Sequence, residues 1–232
     1  MERFIITQNQ YLTKNIQAYN RFDYTGFGTQ GNPDFINHLK NHFLNTPIST
    51  LNQAFRELID VIFEDLAEIR TLNSSNMTVC VIPRAKSETF YHENQRLFKR
   101  GISGVVDRLG DFGYSNGLNF IQRHTNTRTT HMNRSGFGGE GEMPYKGITN
   151  ATCTISSEVR GKDILLIDDI YTKGVNIDED AIQALFDKGA RKVVFYAVAK
   201  TYRNEYHFPQ PQQPPIQGPY FDDLDGLEKL PF

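Results

Sequence analysis

Two neighbouring carboxylates, Asp168 and Asp169, follow a short apolar run and precede a turn that contains glycine. The run from Ile164 to Ile167 is apolar without alternation, which is typical of a strand buried on both faces of a parallel sheet. Side chains at the carboxyl end of such a strand lie where open α/β sheets bind ligands. Because adjacent carboxylates repel each other, they need hydroxyl groups, a cation or solvent. The hydroxyl groups of a sugar are one such partner.

The segment after the acids predicts a helix start that binds an anion. Tyr171 to Val175 reads as a turn, Asn176 as the N-cap, and Glu179 as the second half of a capping box. Gly189 ends the helix, since glycine accepts the left-handed conformation found there. Free N–H groups at a helix start bind phosphate. Acids for a sugar and amides for its phosphate would together bind a ribose 5-phosphate. The apolar stripe of this helix is Ile177, Ala181, Ile182, Leu185 and Phe186.

The run from Leu165 to Asn176 resembles the binding motif of the type I phosphoribosyltransferases for 5-phosphoribosyl 1-pyrophosphate. That motif has four apolar residues, two acids, two variable residues and a Thr-Thr-Gly-x-Thr-like loop. The resemblance implies that Asp168 and Asp169 bind the ribose hydroxyls and that the following loop surrounds the 5-phosphate. The loop residues are Tyr171, Thr172, Lys173, Gly174, Val175 and Asn176.

Three positions of the loop bear on the substrate. Lys173 replaces a usual threonine and adds a cation, and Asn176 replaces the closing threonine while still offering an amide donor. Purine-salvage members of the family usually carry an acid where this chain has Thr172. The resemblance therefore argues against hypoxanthine or guanine as the acceptor. It favours an amidophosphoribosyl, orotate-like or competence-protein-F-like pattern.

Short matches elsewhere resemble the competence-protein-F-like branch of the same superfamily. Arg100-Gly101 followed by Ile102 is similar to an Arg-Gly-Phe step of that branch. The segment Tyr19 to Tyr24 and the pair Leu39-Lys40 are similar to further parts of it.

A basic loop follows the first strand of the expected core. Met77 to Ile82 reads as a strand and leads into Pro83-Arg84-Ala85-Lys86-Ser87. In the resembled family this loop touches the leaving pyrophosphate, which implies that Arg84, Ala85 and Lys86 bind it. Backbone N–H groups from Arg84 to Ser87 would add donors. The alternative is a surface turn that happens to be basic.

A glycine-rich stretch follows the next strand candidate, Leu118 to Gln122. The composition of Gly136 to Glu142 predicts flexibility. The resemblance implies a mobile hood loop here, which would exclude water from a transition state that resembles an oxocarbenium ion. The alternative is a disordered polar loop with no catalytic duty. The residues expected to reach the pyrophosphate or act in catalysis are Arg100, Arg123, Arg128 and His131.

Composition predicts a single α/β enzyme domain with accessory segments. The chain has 232 residues, 38% of them hydrophobic, and a net charge of -2, so we expect no nucleic-acid or membrane partner. Cys80 and Cys153 lie in apolar stretches and read as reduced core thiols, which fits the cytoplasm. The start of the chain has no signal-peptide pattern, and no run has transmembrane length.

The expected fold is a mostly parallel, twisted sheet flanked by helices, of the type I phosphoribosyltransferase kind. We expect a mostly helical accessory segment that forms part of the hood over 1–75, the transferase core over 76–206 and a Pro/Gln-rich tail over 207–232. Within the first segment, a short helix is expected from Asp34 to about Asn45 and a longer one from Pro47 to Ile69. Further strands are expected at Phe4 to Thr7, Ala151 to Ile155 and Arg191 to Ala199.

The resemblance implies transfer of a phosphoribosyl group to a nitrogen nucleophile, a nucleobase or ammonia, with release of pyrophosphate. Mg²⁺ would arrive with the diphosphate and have no dedicated protein ligands. We expect a small-molecule acceptor, a homodimer or partner subunit, and no glutaminase domain in this chain. Two alternatives stay open: a noncatalytic protein that senses phosphoribosyl pyrophosphate or a nucleotide, and a phospho-acceptor or hydrolase that uses Asp168 or Asp169 directly.

Overall fold

The computed structural model of the protein describes residues 1–127 and 147–202. This part of the chain alternates strands and helices in the order expected of an α/β fold. The elements are β1 (Glu2–Ile6), β2 (Ile16–Tyr24), α1 (Phe35–Lys40), α2 (Ile48–Leu72), β3 (Met77–Val81), α3 (Leu97–Arg108), β4 (Tyr114–Asn116), β5 (Ile121–Arg123), β6 (Cys153–Ile155), β7 (Asp163–Tyr171), α4 (Ile177–Asp187) and β8 (Lys192–Thr201).

Six strands form the main sheet, in the order β1-β2-β8-β7-β3-β4. All neighbouring pairs are parallel except β1 with β2, which is antiparallel. The prediction of an α/β fold with a mostly parallel sheet flanked by helices is confirmed. β5 and β6 form a separate antiparallel pair.

Helices α1, α2 and α3 cover one face of the main sheet. Helix α4 and the β5–β6 pair cover the other face. Buried residues of α1, α2 and α3, such as Ile36, Leu58 and Ile102, belong to one hydrophobic core. Buried residues of α4, such as Ile182, pack with Ile121 and Ile155 in a second core. A strand buried on both faces needs no polar alternation, which explains why β7 is apolar from Ile164 to Ile167.

The chain changes direction across the sheet between β3 and β7. From β3 it passes through α3 to β4 at one edge, whereas from β7 it passes through α4 to β8, toward the other edge. The two connecting helices pack into different cores, on opposite faces. Neighbouring strands whose connections diverge in this way form a topological switch point, and a crevice opens at their carboxyl ends. The acids of β7 lie at this crevice.

The first 75 residues supply strands as well as helices. The sequence analysis did not predict β2, because this segment mixes polar residues such as Asn20 and Arg21 with apolar ones. Asn20 is nevertheless buried in the structure. α1 is shorter than expected and ends at Lys40, since Asn41 adopts a left-handed φ of 40°. α2 matches the predicted long helix within a few residues.

Several predictions fall outside the described residues. Arg128, His131 and the stretch from Gly136 to Glu142 lie between β5 and β6, and the proline-rich tail from 207 to 232 follows β8. Among the helices of residues 1–127 and 147–202, none is long and apolar enough to cross a membrane.

A buried hydrogen bond joins α2 to the centre of the sheet. The Tyr196 hydroxyl donates to Asp65 Oδ2 at 2.5 Å, and Arg21 Nη1 donates to Asp65 Oδ1 at 2.9 Å. We expect Tyr196→Phe to lower the free energy of unfolding by about 2 kcal/mol, because hydrogen bonds to charged groups contribute about 1.5–3 kcal/mol. Urea denaturation measures this. Tyr11→Phe, at a more exposed position, should change it by less than about 0.5 kcal/mol; equal effects would contradict the prediction.

Candidate functional site

The acid pair lies within β7 rather than after it. The strand was expected to end at Ile167, but it continues to Tyr171 because its ladder with β8 continues, with Asp168 opposite Ala197. On the other side, β3 pairs with β7 only as far as Ile167, where the Ile82 N–H donates to the Ile167 carbonyl. At the two acids, β7 is therefore paired with β8 but not with β3.

Asp168 and Asp169 are both half-buried and differ in their partners. The Asp169 N–H donates to Asp168 Oδ1 at 2.8 Å, and Asp169 Oδ1 lies 3.0 Å from Lys40 Nζ. Burial, followed by repulsion from Asp169, raises the pKa of Asp168 to about 7. Asp168 therefore lacks a full cationic partner in this structure, and a ligand that donates hydrogen bonds would favour its ionised form.

A third acid, Asp178, stands behind the pair. It is only 3% exposed, it lies in the first turn of α4, and its carboxyl lies within hydrogen-bonding reach of Asp168. Burial, followed by the Asp168 charge, raises the pKa of Asp178 well above its usual range. Asp178 is thus the proton donor in its contact with Asp168, since two ionised carboxylates could not share a hydrogen bond.

The Lys40 ion pair should contribute measurably to stability. The side chains of Lys40 and Asp169 are only 14% and 21% exposed, so solvent screens the pair weakly. We expect Lys40→Met to lower the free energy of unfolding by about 2 kcal/mol, between the values for exposed and buried pairs. Chemical denaturation measures the loss. Lys188→Met, at an exposed position, serves as the control. A double-mutant cycle with Asp169→Asn that gave no coupling energy would refute the interpretation.

The loop after β7 has the form expected of an anion-binding turn. Gly174 and Asn176 adopt left-handed φ values of 86° and 65°, and the Val175 N–H donates to the Thr172 carbonyl at 3.1 Å. Within the described ranges, the N–H groups of Gly174, Asn176 and Ile177 donate to no protein acceptor. Such groups at a helix start attract an anion. The Thr172 hydroxyl is 2.7 Å from that of Thr201, which fixes the start of the loop on β8.

The predicted capping box is wrong. The left-handed Asn176 makes no side-chain cap, and its amide donates instead to the Gly174 carbonyl at 3.3 Å. Glu179 is buried and accepts a hydrogen bond from the Tyr171 hydroxyl at 3.1 Å. The Tyr171 side chain is also buried, against Phe4 and Phe195. Only the backbone of Tyr171 can therefore serve the proposed phosphate loop.

The loop that follows β3 is held by its own neighbours. The Lys86 N–H donates to the Tyr91 hydroxyl at 3.1 Å, and the Ser87 N–H donates to Asn126 Oδ1 at 2.8 Å. These two N–H groups were expected to be free for a ligand, but the protein already uses them. The carbonyl of Ala85 accepts from both the N–H and the hydroxyl of Thr127, at 2.8 and 3.0 Å. The loop is thus fixed in shape.

The basic side chains near this loop have several different surroundings. Arg84 Nη1 donates to the Gln95 carbonyl at 2.9 Å, and its guanidinium lies 4.2 Å from the centre of the Tyr91 ring, while Asp169 attracts it electrostatically. Arg123 is buried, and its Nε donates to the Arg84 carbonyl at 2.6 Å, so it positions the loop. Arg100 is exposed on α3 and forms no ion pair within the described ranges.

The structure therefore brings together only part of the predicted site. Asp168, Asp169 and the loop 172–176 share one edge of the sheet, and Arg84 is close enough to interact with Asp169. Residues 1–127 and 147–202 contain no group of three or more His, Cys, Asp or Glu side chains arranged to hold a metal ion.

Sequence reasoning missed Lys40 and Asp178 as site residues. The stripe Ala181, Ile182 and Leu185 extends backward at helical spacing to Asp178, so the 3.6-residue period could have placed this acid on the buried face. Lys40 gave no comparable signal, because its ion pair joins α1 to β7 across a long stretch of chain.

No protein-family model matches this chain, and no curated protein matches it either.

Proposed function

We propose that the protein is a phosphoribosyltransferase that binds Mg²⁺-complexed 5-phosphoribosyl 1-pyrophosphate and transfers the phosphoribosyl group to a nitrogen nucleophile. The observation that supports this most strongly is the shared edge at the switch point. There, the carboxylates of Asp168 and Asp169 lie next to a turn at the start of α4, some of whose N–H groups have no acceptor among residues 1–127 and 147–202. A ribose 5-phosphate needs this combination of hydroxyl acceptors and phosphate donors.

Each group would have a defined task in this reaction. The carboxylates would accept hydrogen bonds from the two ribose hydroxyls, and the N–H groups of Gly174, Asn176 and Ile177 would bind the 5-phosphate. Lys173, exposed on the same turn, would add positive charge. Arg84 and Lys86 would face the departing diphosphate, with Mg²⁺ bound through the diphosphate oxygens. Catalysis would then rest on positioning and on electrostatic stabilisation of the leaving group.

Pyrophosphate release tests the proposal directly. The protein is incubated with Mg²⁺, phosphoribosyl pyrophosphate and either ammonia or one of a panel of nucleobases. We expect release with one acceptor that exceeds the rate without acceptor, and its loss in Asp169→Asn. If the donor binds tightly but no acceptor gives release, the transferase function is refuted. If the donor does not bind at all, the site assignment is refuted as well.

One observation favours a noncatalytic sensor of the same ligand as the second candidate. The N–H groups of Lys86 and Ser87 are already used by Tyr91 and Asn126, which leaves fewer donors for a diphosphate that develops charge. A sensor needs only ground-state binding, whereas a transferase must bind the departing diphosphate more strongly than the substrate. Binding without turnover would support the sensor.

A further inference from the structure

A cavity of about 540 Å³ lies at the carboxyl end of β3, bounded by the following loop, the start of α3 and the segment that joins β4 to β5. Its volume is within the range of roughly 300–1,000 Å³ that small-molecule sites occupy. Neither the acid pair nor the loop 172–176 belongs to its lining. The cavity therefore does not include the groups proposed for the ribose 5-phosphate, but its wall shares Arg84 and Lys86 with the groups proposed for the diphosphate.

The lining of the cavity is strongly basic in a protein of net charge -2. Only one acidic side chain, Glu88, belongs to it, and Lys99 Nζ neutralises that carboxylate at 2.6 Å. Positive charge collected in a concave site with apolar walls attracts anions more strongly than the same charge on a flat surface. The basic residues of the lining are Arg84, Lys86, Arg96, Lys99 and Arg123.

Arg96 is the basic residue of the lining with the most unused donors. Its Nε donates to the Tyr91 carbonyl at 2.9 Å, whereas its terminal nitrogens donate to no acceptor in the described parts of the chain. A guanidinium has five N–H groups in a planar fork that matches a carboxylate or phosphate. Arg96 also directly precedes α3, whose first turn has no acidic residue to repel an anion.

Uncharged polar side chains make up part of the remaining wall, and the other part is apolar or aromatic. Phe98 of α3 faces the cavity together with Ile82, Leu118 and Ile121, and Tyr91 adds an aromatic ring. Inorganic phosphate alone would leave this surface uncovered. A ligand that covers it needs an apolar body in addition to its charge, and a flat one can stack on the aromatic side chains.

We propose that this cavity binds a small organic anion, with a flat apolar body that carries a phosphate or carboxylate group, and that Arg96 is its principal charged contact. The charged group is bound among the basic side chains, and the body packs against Phe98 and the aliphatic wall. This binding is independent of the acid pair.

Isothermal titration calorimetry with defined probes tests the proposal. The probes are 2-naphthyl phosphate and 2-naphthoate, which separate the two kinds of charged group, with inorganic phosphate and neutral 2-naphthol as matched controls. We expect saturable binding of at least one naphthyl anion at one site per chain. Each control should bind at least about tenfold more weakly, because each lacks either the charge or the apolar body. Absence of saturable binding by both naphthyl anions would overturn the proposal.

Variants locate the bound probe. Arg96→Gln should weaken binding about tenfold, whereas Arg56→Gln, which removes the same charge from an exposed position on α2, should not. Glu88→Gln should strengthen binding about threefold, since it removes the only acid of the lining, and a folding defect could not produce such a gain. Asp169→Asn should not weaken binding, because it removes a negative charge near Arg84. Weakening by Asp169→Asn without an effect of Arg96→Gln would place the probe at the acid pair and refute the proposal.

Discussion

Replacing Asp169 by asparagine should weaken the binding of Mg²⁺-complexed phosphoribosyl pyrophosphate up to about 100-fold, because a charged hydrogen bond to a ribose hydroxyl contributes about 1.5–3 kcal/mol. The substitution keeps the size of the side chain and removes its charge. The crevice and the strand should remain intact, since the β7 ladder with β8 is made by backbone groups. Isothermal titration calorimetry measures the affinity.

Asp60→Asn is the matched control for this experiment. Asp60 is exposed on α2, and its substitution removes the same charge without touching the crevice. The control should bind the ligand as the unmodified protein does. A Kd that is the same for Asp169→Asn and Asp60→Asn would show that the acid pair does not bind the ribose.

The second large effect concerns stability against pH. Asp168 and Asp178 have pKa values above the ordinary aspartate value, mainly because burial disfavours their charged forms. Between pH 5 and 7.5 the folded protein therefore holds protons that the unfolded chain has lost, so stability falls as pH rises. We expect the free energy of unfolding to decrease by about 2 kcal/mol over this interval. This is less than the full pKa shift of Asp168 would give, because that side chain is half-buried and solvent screens its charge.

Asp178→Asn isolates this contribution. The asparagine amide can donate to Asp168 at every pH in this range, whereas the aspartate carboxyl must first bind a proton. The variant should therefore be more stable than the unmodified protein, by about 2 kcal/mol at pH 7.5 and by less at pH 5. Urea denaturation at a series of pH values measures both. Asp187→Asn is an exposed substitution at the other end of α4. It should change the free energy of unfolding by the same amount at every pH between 5 and 7.5. A gain that is constant with pH would contradict the prediction.

Apolar runs in the sequence were sufficient to predict the strands that helices cover on both faces of the sheet. Met77–Val81 and the first half of β7 are continuous apolar runs, so their type and place follow from the sequence. β2 could not be predicted in this way. It mixes polar and apolar residues, with the polar Asn20 among the buried ones, and its place inside the sheet depends on pairing with β8, which is distant in sequence.

The candidate site was predictable only in its local part. The acids and the following turn are consecutive in the chain, and their chemistry can be read from residue types alone. The partners of those acids come from elsewhere: Lys40 from the end of α1 and Asp178 from the buried face of α4. Tertiary packing decides those contacts, as it also brings Arg123 Nε to the Arg84 carbonyl.

The one-sided pairing of β7 also determines which hydrogen bonds the site offers. Beyond Ile167, none of the described strands pairs with β7 on the β3 side, and the Asp169 N–H donates to the carboxylate of Asp168. A ligand that draws this carboxylate toward its own hydroxyl group sets the Asp169 N–H free at the same moment. The crevice then presents a donor beside its two acceptors. A molecule with both a hydroxyl donor and an adjacent oxygen acceptor satisfies all three, whereas a simple cation satisfies only the acceptors.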